Sequence, residues 1–180
     1  MTEKHILIVD DVMKNIQLLG SVLRNENYDI TFASSGQQAL SSVEKMPPSL
    51  ILLDINMPDM DGFEVCQHLK QSEEYKEIPI IFLTANHDID TITKGFELGA
   101  ADYITKPFNS SELLSRVKTQ MSMYLLIQKQ KRQNQELAHQ AQVAKDMLKE
   151  TRTRQGGPLL GESDAICQLR EEIQIAARSI

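Results

Sequence analysis

The sequence predicts an α/β fold, a doubly wound parallel sheet of five strands followed by a long helical segment. Short apolar runs alternate with amphipathic helical patterns through residues 1–124, the order of a parallel sheet with helices on both faces. Three of these runs are apolar almost throughout, as expected of strands that are covered on both sides. From Met123 to Thr153 there is no proline or glycine, so a helix can continue well past the last strand.

The predicted strands and helices alternate at regular intervals. The strands cover residues 5–9, 28–33, 50–53, 78–83 and 102–105. Helical patterns occupy residues 12–23, 36–46, 63–69 and 89–98, and a last one starts at Glu112. We expect Gly99 to end the fourth helix, and Ser110 or Ser111 to cap the fifth. In such a sheet the functional crevice lies at the carboxyl ends of the strands.

Composition and charge limit the classes of function. The chain has 180 residues, 41% of them hydrophobic, and a net charge of −6. Residues 1–124 hold 10 Lys/Arg and 18 Asp/Glu, a net charge of −8 that argues against nucleic-acid binding there. No apolar run is long enough to span a bilayer, and the start lacks a signal-peptide layout. We therefore expect a cytoplasmic protein without a membrane partner.

Polar residues follow four of the predicted strands at their carboxyl ends. They are Asp10, Asp11, Asp54, Thr84 and Lys106. Three carboxylates brought together repel one another, and a divalent cation removes that conflict. Oxygen ligands favour Mg²⁺. The alternative, that these aspartates are only loop caps, does not explain a lysine and a threonine at the same edge.

A carboxylate, a hydroxyl, an ammonium group and Mg²⁺ together suit phosphoryl transfer to an aspartate. The segments ILIVDD, LILLDINMPDMDGFE, FLTA and GADYITKPF resemble the receiver (CheY-like) domain of two-component response regulators. The resemblance covers residues 4–124, so we take residues 1–124 as the receiver domain, with the flavodoxin-like receiver fold. It implies a phosphorelay signalling domain rather than an enzyme, with a sensor histidine kinase as its partner.

The resemblance also implies roles for single residues around the phosphoryl group. Asp54 matches the phosphoacceptor, and Lys106 would pair with the phosphoryl group. Asp11 and Asp54 would bind Mg²⁺ by their side chains, Asn56 by its backbone carbonyl, and Asp10 largely through water. Asp59 and Asp61 are most simply turn residues that lead into the next helix.

The remaining implied roles concern switching. Thr84 and Tyr103 match a switch pair in which the hydroxyl moves toward the phosphate and the aromatic ring turns inward. Lys106–Pro107 matches a peptide bond that is usually cis in the family. Asn56 and Asn86 occupy the places that tune the lifetime of the phosphoryl group.

A phosphatase of the haloacid-dehalogenase type is a remote alternative. It also uses an aspartate nucleophile, Mg²⁺, a threonine and a lysine on a similar sheet. It needs a second acid two places after the nucleophile, and that place holds Asn56.

Residues 125–154 are expected to form a helical linker. With Ile127, Asn134, Ala141 and Leu148 at heptad position a, position d holds Gln130, Leu137, Ala144 and Thr151. This seam predicts a coiled-coil homodimer, in which Asn134 would favour a parallel arrangement in register. The alternative is a single polar helix or a partly disordered linker.

Residues 155–180 follow a break at QGGPLL. The segment LLGESDAICQLREEI resembles the opening of the AAA+ domain of NtrC-type sigma-54-dependent transcription activators. No GxxxxGK[ST] motif occurs, so the chain has no P-loop ATPase site. We expect the truncated start of an output domain, with sigma-54 RNA polymerase and DNA as partners only through regions absent from this chain. The alternative is a complete stand-alone adaptor that acts by protein–protein contact.

Overall fold

The computed structural model describes residues 4–85 and 89–154. Within these ranges five strands alternate with five helices. The strands are β1 (His5–Val9), β2 (Asp29–Ala33), β3 (Leu50–Asp54), β4 (Ile80–Thr84) and β5 (Asp102–Thr105). The helices are α1 (Met13–Arg24), α2 (Gly36–Lys45), α3 (Gly62–Gln71), α4 (Ile89–Glu97) and α5 (Ser110–Arg154). The predicted order of elements is confirmed.

The five strands form one parallel sheet in the order β2-β1-β3-β4-β5. Every residue of β1, β3 and β4 is buried, which explains why these strands are apolar almost throughout. The register pairs Asp54 with Leu83 and Thr84 with Thr105. The carboxyl ends of β3, β4 and β5 therefore lie side by side, which confirms the predicted fold class.

The sheet separates two hydrophobic cores, because successive strand residues point to opposite faces. Ile51 and Leu53 of β3 face the core with α2 and α3. Leu50 and Leu52 face the other core, to which α1 and α5 contribute. The helices thus cover both faces and leave the carboxyl edge for polar side chains.

Most observed boundaries lie within two residues of the predicted ones, and two of the differences have a physical cause in the sequence. β4 begins at Ile80 rather than residue 78, because Pro79 has no N–H to donate to a strand ladder. The prediction of Ser110 or Ser111 as the cap of α5 is wrong. The Asn109 side chain accepts hydrogen bonds from the N–H groups of Ser111 and Glu112, so Asn109 caps the helix.

The predicted end of the fourth helix is confirmed. Gly99 has a φ of +90°, and its N–H donates to the Phe96 carbonyl. The next N–H, of Ala100, donates to the Gly95 carbonyl. These two bonds are the Schellman arrangement, which glycine adopts at least cost.

Helix α5 runs without a break through 45 residues. Leu113, Val117 and Met121 pack on the sheet. Residues up to Lys131 belong to one compact unit, and Arg132 begins a second. Residues 131–147 are exposed throughout. Within the described ranges, no helix combines the length and apolar character that crossing a membrane requires.

Gly62 lets α3 start directly against the end of β3. Its N–H donates to the Ile55 carbonyl, and an added Cβ would lie 2.2 Å from the Asp54 carbonyl oxygen. We expect Gly62→Ala to lower the free energy of unfolding by roughly 1–3 kcal/mol, because the backbone must move. The measurement is urea unfolding followed by circular dichroism.

Gly20→Ala is the matched control, since a Cβ at Gly20 in α1 meets no atom within 4 Å. That change should leave stability equal or raise it by roughly 0.5–1 kcal/mol. A Gly62→Ala protein as stable as the Gly20→Ala protein would contradict the close approach at Asp54.

Candidate functional site

The predicted polar residues meet at the carboxyl edge of the sheet. Asp10 follows β1, Asp54 is the last residue of β3, Thr84 ends β4, and Lys106 follows β5. The Lys106 N–H donates to the Thr84 carbonyl at 2.7 Å, which fixes the start of the loop after β5. Residues far apart in the sequence are thus placed together by strand order alone.

The Lys106 ammonium bridges two carboxylates at the centre of this edge. Its Nζ lies 2.7 Å from Asp54 Oδ2 and 2.8 Å from Asp10 Oδ2. The Asp10 and Asp54 side chains are almost fully buried, whereas 21% of the Lys106 side chain is exposed. The bridge therefore holds the buried Asp54 carboxylate beside a cation that is itself partly exposed.

Asp10 is fixed by further hydrogen bonds. Its Oδ1 accepts from the Val12 N–H at 2.9 Å, and Asn15 Nδ2 lies 3.0 Å from both carboxylate oxygens. Asn15 was not among the predicted site residues, although it stands in the first turn of α1, where a side chain can reach back to the strand end. Asn15 thus positions Asp10, which in turn receives Lys106.

A group of three carboxylates fits a cation that prefers oxygen ligands. One carboxylate oxygen from each of Asp10, Asp11 and Asp54 lies within 4.8 Å of the others, and Asp11 is exposed. The Asn56 N–H lies 3.4 Å from Asp54 Oδ1, so its backbone is close to the same group. Hard oxygen donors at this spacing suit Mg²⁺ with part of its water shell.

Burial and pairing act in opposite directions on the charges of the site. Burial raises the pKa of Asp54 above its ordinary value, and the Lys106 ammonium offsets only part of that effect. Burial also disfavours the charged form of Lys106. The hydrogen bonds to Asp10 and Asp54 outweigh it and leave the pKa of Lys106 raised. Lys106 therefore keeps its positive charge beside Asp54, a carboxylate whose charged form is disfavoured by burial.

The two residues predicted as a switch pair line one small cavity. The cavity has a volume of about 10 Å³ and lies between Thr84, Tyr103 and side chains of α4. Thr84 is buried, and the Tyr103 ring meets the Phe96 ring edge to face at 6.1 Å. The guanidinium carbon of Arg116 lies 5.5 Å from the Tyr103 ring centroid. The ring is thus placed between α4 and α5.

The acids of the loop before α3 have the turn roles expected of them. Asp59 has a φ of +67°. Asp61 caps α3 by accepting from the Glu64 N–H, while the Glu64 side chain accepts from the Asp61 N–H. The Lys106–Pro107 bond is cis, as the resemblance implied. Asn86 lies outside the described residues, so its predicted role stays a prediction.

The response regulator receiver domain family matches residues 6–118. The DNA-binding response regulator MtrA of Mycobacterium tuberculosis is 40% identical over 118 residues, which are 66% of this chain and 50% of MtrA. Response regulator PleD of Caulobacter vibrioides is 38% identical over 122 residues, 68% of this chain and 27% of PleD. The chain thus spans half the length of MtrA and about a quarter of PleD.

Solved structures agree with the sequence match. The chemotaxis response regulator CheY4 of Vibrio cholerae superposes with a TM-score of 0.62 at 31% identity, covering 64% of this chain and 97% of CheY4. A CheY-like receiver domain protein from Methanospirillum hungatei gives a TM-score of 0.63 at 28% identity, covering 67% and 95%. With the aspartates and the lysine at the carboxyl edge, these matches show that the chain belongs to the receiver domain family of two-component response regulators.

Proposed function

We propose that Asp54 is the phosphoacceptor of this receiver, and that the phosphoryl group comes from a phosphohistidine of a sensor histidine kinase. Receiver domains are the signalling partners of such kinases. The observation that supports Asp54 is the Lys106 ammonium, 2.7 Å from its carboxylate at the edge where a partner can approach.

In the proposed transfer the site supplies the nucleophile and a cation, and the partner supplies the phosphoryl group. An Asp54 carboxylate oxygen attacks the phosphorus atom, the P–N bond of the phosphohistidine breaks, and the imidazole nitrogen leaves with the bonding pair. Lys106 lies beside the attacking carboxylate, so its ammonium can pair with the phosphoryl oxygens. Asp10 keeps Lys106 in place when the Asp54 oxygen is taken up by phosphorus.

Mg²⁺ is the proposed cofactor. The carboxylates of Asp11 and Asp54 and the backbone carbonyl of Asn56 would hold it, and Asp10 would act largely through water. When bound, it supplies positive charge that offsets the charge of the carboxylates and of the phosphoryl oxygens. Asn56 and Asn86 are also proposed to tune the lifetime of the phosphoryl group.

The phosphatase alternative is disfavoured, because Asn56 stands where a general acid would be needed and an amide cannot serve as one.

Asp54→Asn removes the nucleophile and nearly preserves the side-chain shape. With acetyl phosphate and Mg²⁺, the wild-type protein should gain the mass of one phosphoryl group, and Asp54→Asn should gain none. The matched control is Asp59→Asn, a neighbouring acid at a positive φ that asparagine tolerates; it should be phosphorylated like the wild type. Intact-mass spectrometry measures all three proteins, and equal mass gain on Asp54→Asn would refute the assignment.

The proposed switch runs from Thr84 and Tyr103 to α5. Both residues line one cavity, and Tyr103 also lies against Arg116 of α5. Arg116 pairs with Asp102 at 2.6 Å and with Glu112 at 2.9 Å. The Tyr103 ring therefore contacts the first turns of the helix that leaves the receiver, so a movement of the ring can act directly on that helix.

The exposed part of α5 is proposed to pair with a second copy of the chain. Residues 131–147 are exposed throughout, and a lone polar helix of this length gains little stability from packing. Asn134 at position a finds a matching amide only in a symmetric partner in register. The proposal also includes a receiver domain that ends at residue 124 and a helical linker that ends at residue 154.

Leu137→Glu tests the pairing, because it places a charge at position d, where the helices would meet. It should shift the protein from dimer to monomer in sedimentation velocity at micromolar concentration. His139→Glu puts the same charge two residues away on the outer face and should leave the dimer in place. A wild-type protein that sediments as a monomer with and without beryllofluoride would exclude the seam.

Residues 155–180, which lie outside the described residues, are proposed to begin an output domain for sigma-54-dependent transcription. Their sequence resemblance to AAA+ activators supports this. MtrA, matched over 118 residues, is a DNA-binding response regulator, which is consistent with a transcriptional output. A P-loop in the residues encoded after Ile180 would separate this output from that of a stand-alone adaptor.

A further inference from the structure

A charged contact joins α5 to the loop between α3 and β4, at the edge of the sheet opposite Asp54. Glu77 of this loop forms an ion pair with Lys131 through its Oε1. Its Oε2 accepts a hydrogen bond from Gln128 Nε2 at 3.3 Å. Gln128 and Lys131 are three residues apart and share one side of the helix. Both carboxylate oxygens of Glu77 are thus used on the same turn of α5.

The backbone around Glu77 is fixed from α3. Lys70 Nζ donates to the carbonyls of Lys76 and Ile78, both at 2.9 Å. These carbonyls flank Glu77 on either side, so Lys70 holds the backbone from which the Glu77 side chain extends. Both of these bonds go to the loop rather than to α5, so we expect the effect of Lys70 on the helix to pass through Glu77.

Apolar packing contributes little at this place. A cavity of about 310 Å³ lies between α5 and the start of β4, lined by Lys70, Glu77, Pro79, Tyr124 and Ile127 among others. Ile127 remains 46% exposed. Because Ile127 beside this cavity is only half covered, the polar contact carries a larger share of the attachment of this turn. The hydrogen bond from Lys131 also lowers the pKa of Glu77, the sign of a favourable pair.

We propose that Lys70, Glu77 and Lys131 form a latch that holds the last turn of α5 in the receiver unit against the α3–β4 loop. The latch goes beyond the proposed phosphoacceptor function, since Gln128 and Lys131 lie past residue 118, where the family match ends. Helix α3 starts at Gly62, against the Asp54 carbonyl, and Lys70 lies in its last turn. The latch therefore gives the site a second connection to α5, separate from Thr84 and Tyr103.

Amide hydrogen exchange over residues 125–135 of the full chain, at low salt and without a phosphodonor, tests the latch. Glu77→Gln should speed exchange there about two- to fivefold, the range for loss of one partly exposed pair. Glu73→Gln is the matched control, because Glu73 pairs with Lys76 rather than α5, and it should exchange like the wild type. The charge swap Glu77→Lys with Lys131→Glu should restore slow exchange. Glu77→Gln exchanging at the wild-type rate, or a swap as fast as the single variant, would overturn the proposal.

A double-variant cycle tests Lys70 as a positioning residue. Lys70→Met should speed exchange over residues 125–135 in the wild-type background and add nothing in the Glu77→Gln background. A general loosening of the fold would instead add in both backgrounds, and that result would remove Lys70 from the latch. Phosphorylation of Asp54 is read by mass in separate samples, so failure of the latch and failure of the phosphoacceptor assignment are distinguishable.

Discussion

The contact between Lys106 and the carboxylates of Asp10 and Asp54 is the interaction on which the site depends. Two carboxylates that are almost fully buried would repel each other and lose hydration if they stood alone. The ammonium group 2.7 and 2.8 Å away supplies the opposite charge and stays accessible on one side. The site thus combines a buried carboxylate, the proposed nucleophile, with a cation that is accessible to the phosphoryl group of the proposed transfer. Asn15, the Val12 N–H and the Thr84 carbonyl are arranged around this bridge and hold its parts in place.

The parallel sheet makes this contact possible. Asp10, Asp54 and Lys106 come from three strands, and parallel pairing brings their carboxyl ends to one edge. The apolar residues of β1, β3 and β4 pack alternately into the two cores, so a slip by one residue would move every side chain into the other core. Burial of the strands on both faces therefore fixes the position of the site. Gly62 adds to this by letting α3 start directly beside Asp54. Lys70 lies in the last turn of the same helix, which thus connects this edge of the sheet with the opposite one.

The sequence alone was sufficient for the fold and for most of the site, since both follow from strong local patterns. Uninterrupted apolar runs located the central strands, and the polar residues that end them located the carboxyl edge. The residue that caps α5 was harder to predict. Asn109, Ser110 and Ser111 are all good caps, and only the backbone geometry selects Asn109. Asn15 carries no periodic signal within its helix. Glu77 and Lys131 are ordinary surface charges 54 positions apart, so nothing but the folded structure brings them together.

The central claim is that the phosphoryl group resides on Asp54, and chemical mapping of that group tests it most directly. An aspartyl phosphate is reduced by borohydride to homoserine, which marks the modified residue permanently in a peptide map. After incubation with a phosphodonor and Mg²⁺, the account predicts homoserine at position 54 and unmodified aspartate at positions 10, 11, 59 and 61. Homoserine at one of those other positions, or a phosphoryl group that survives reduction on His139, would contradict it.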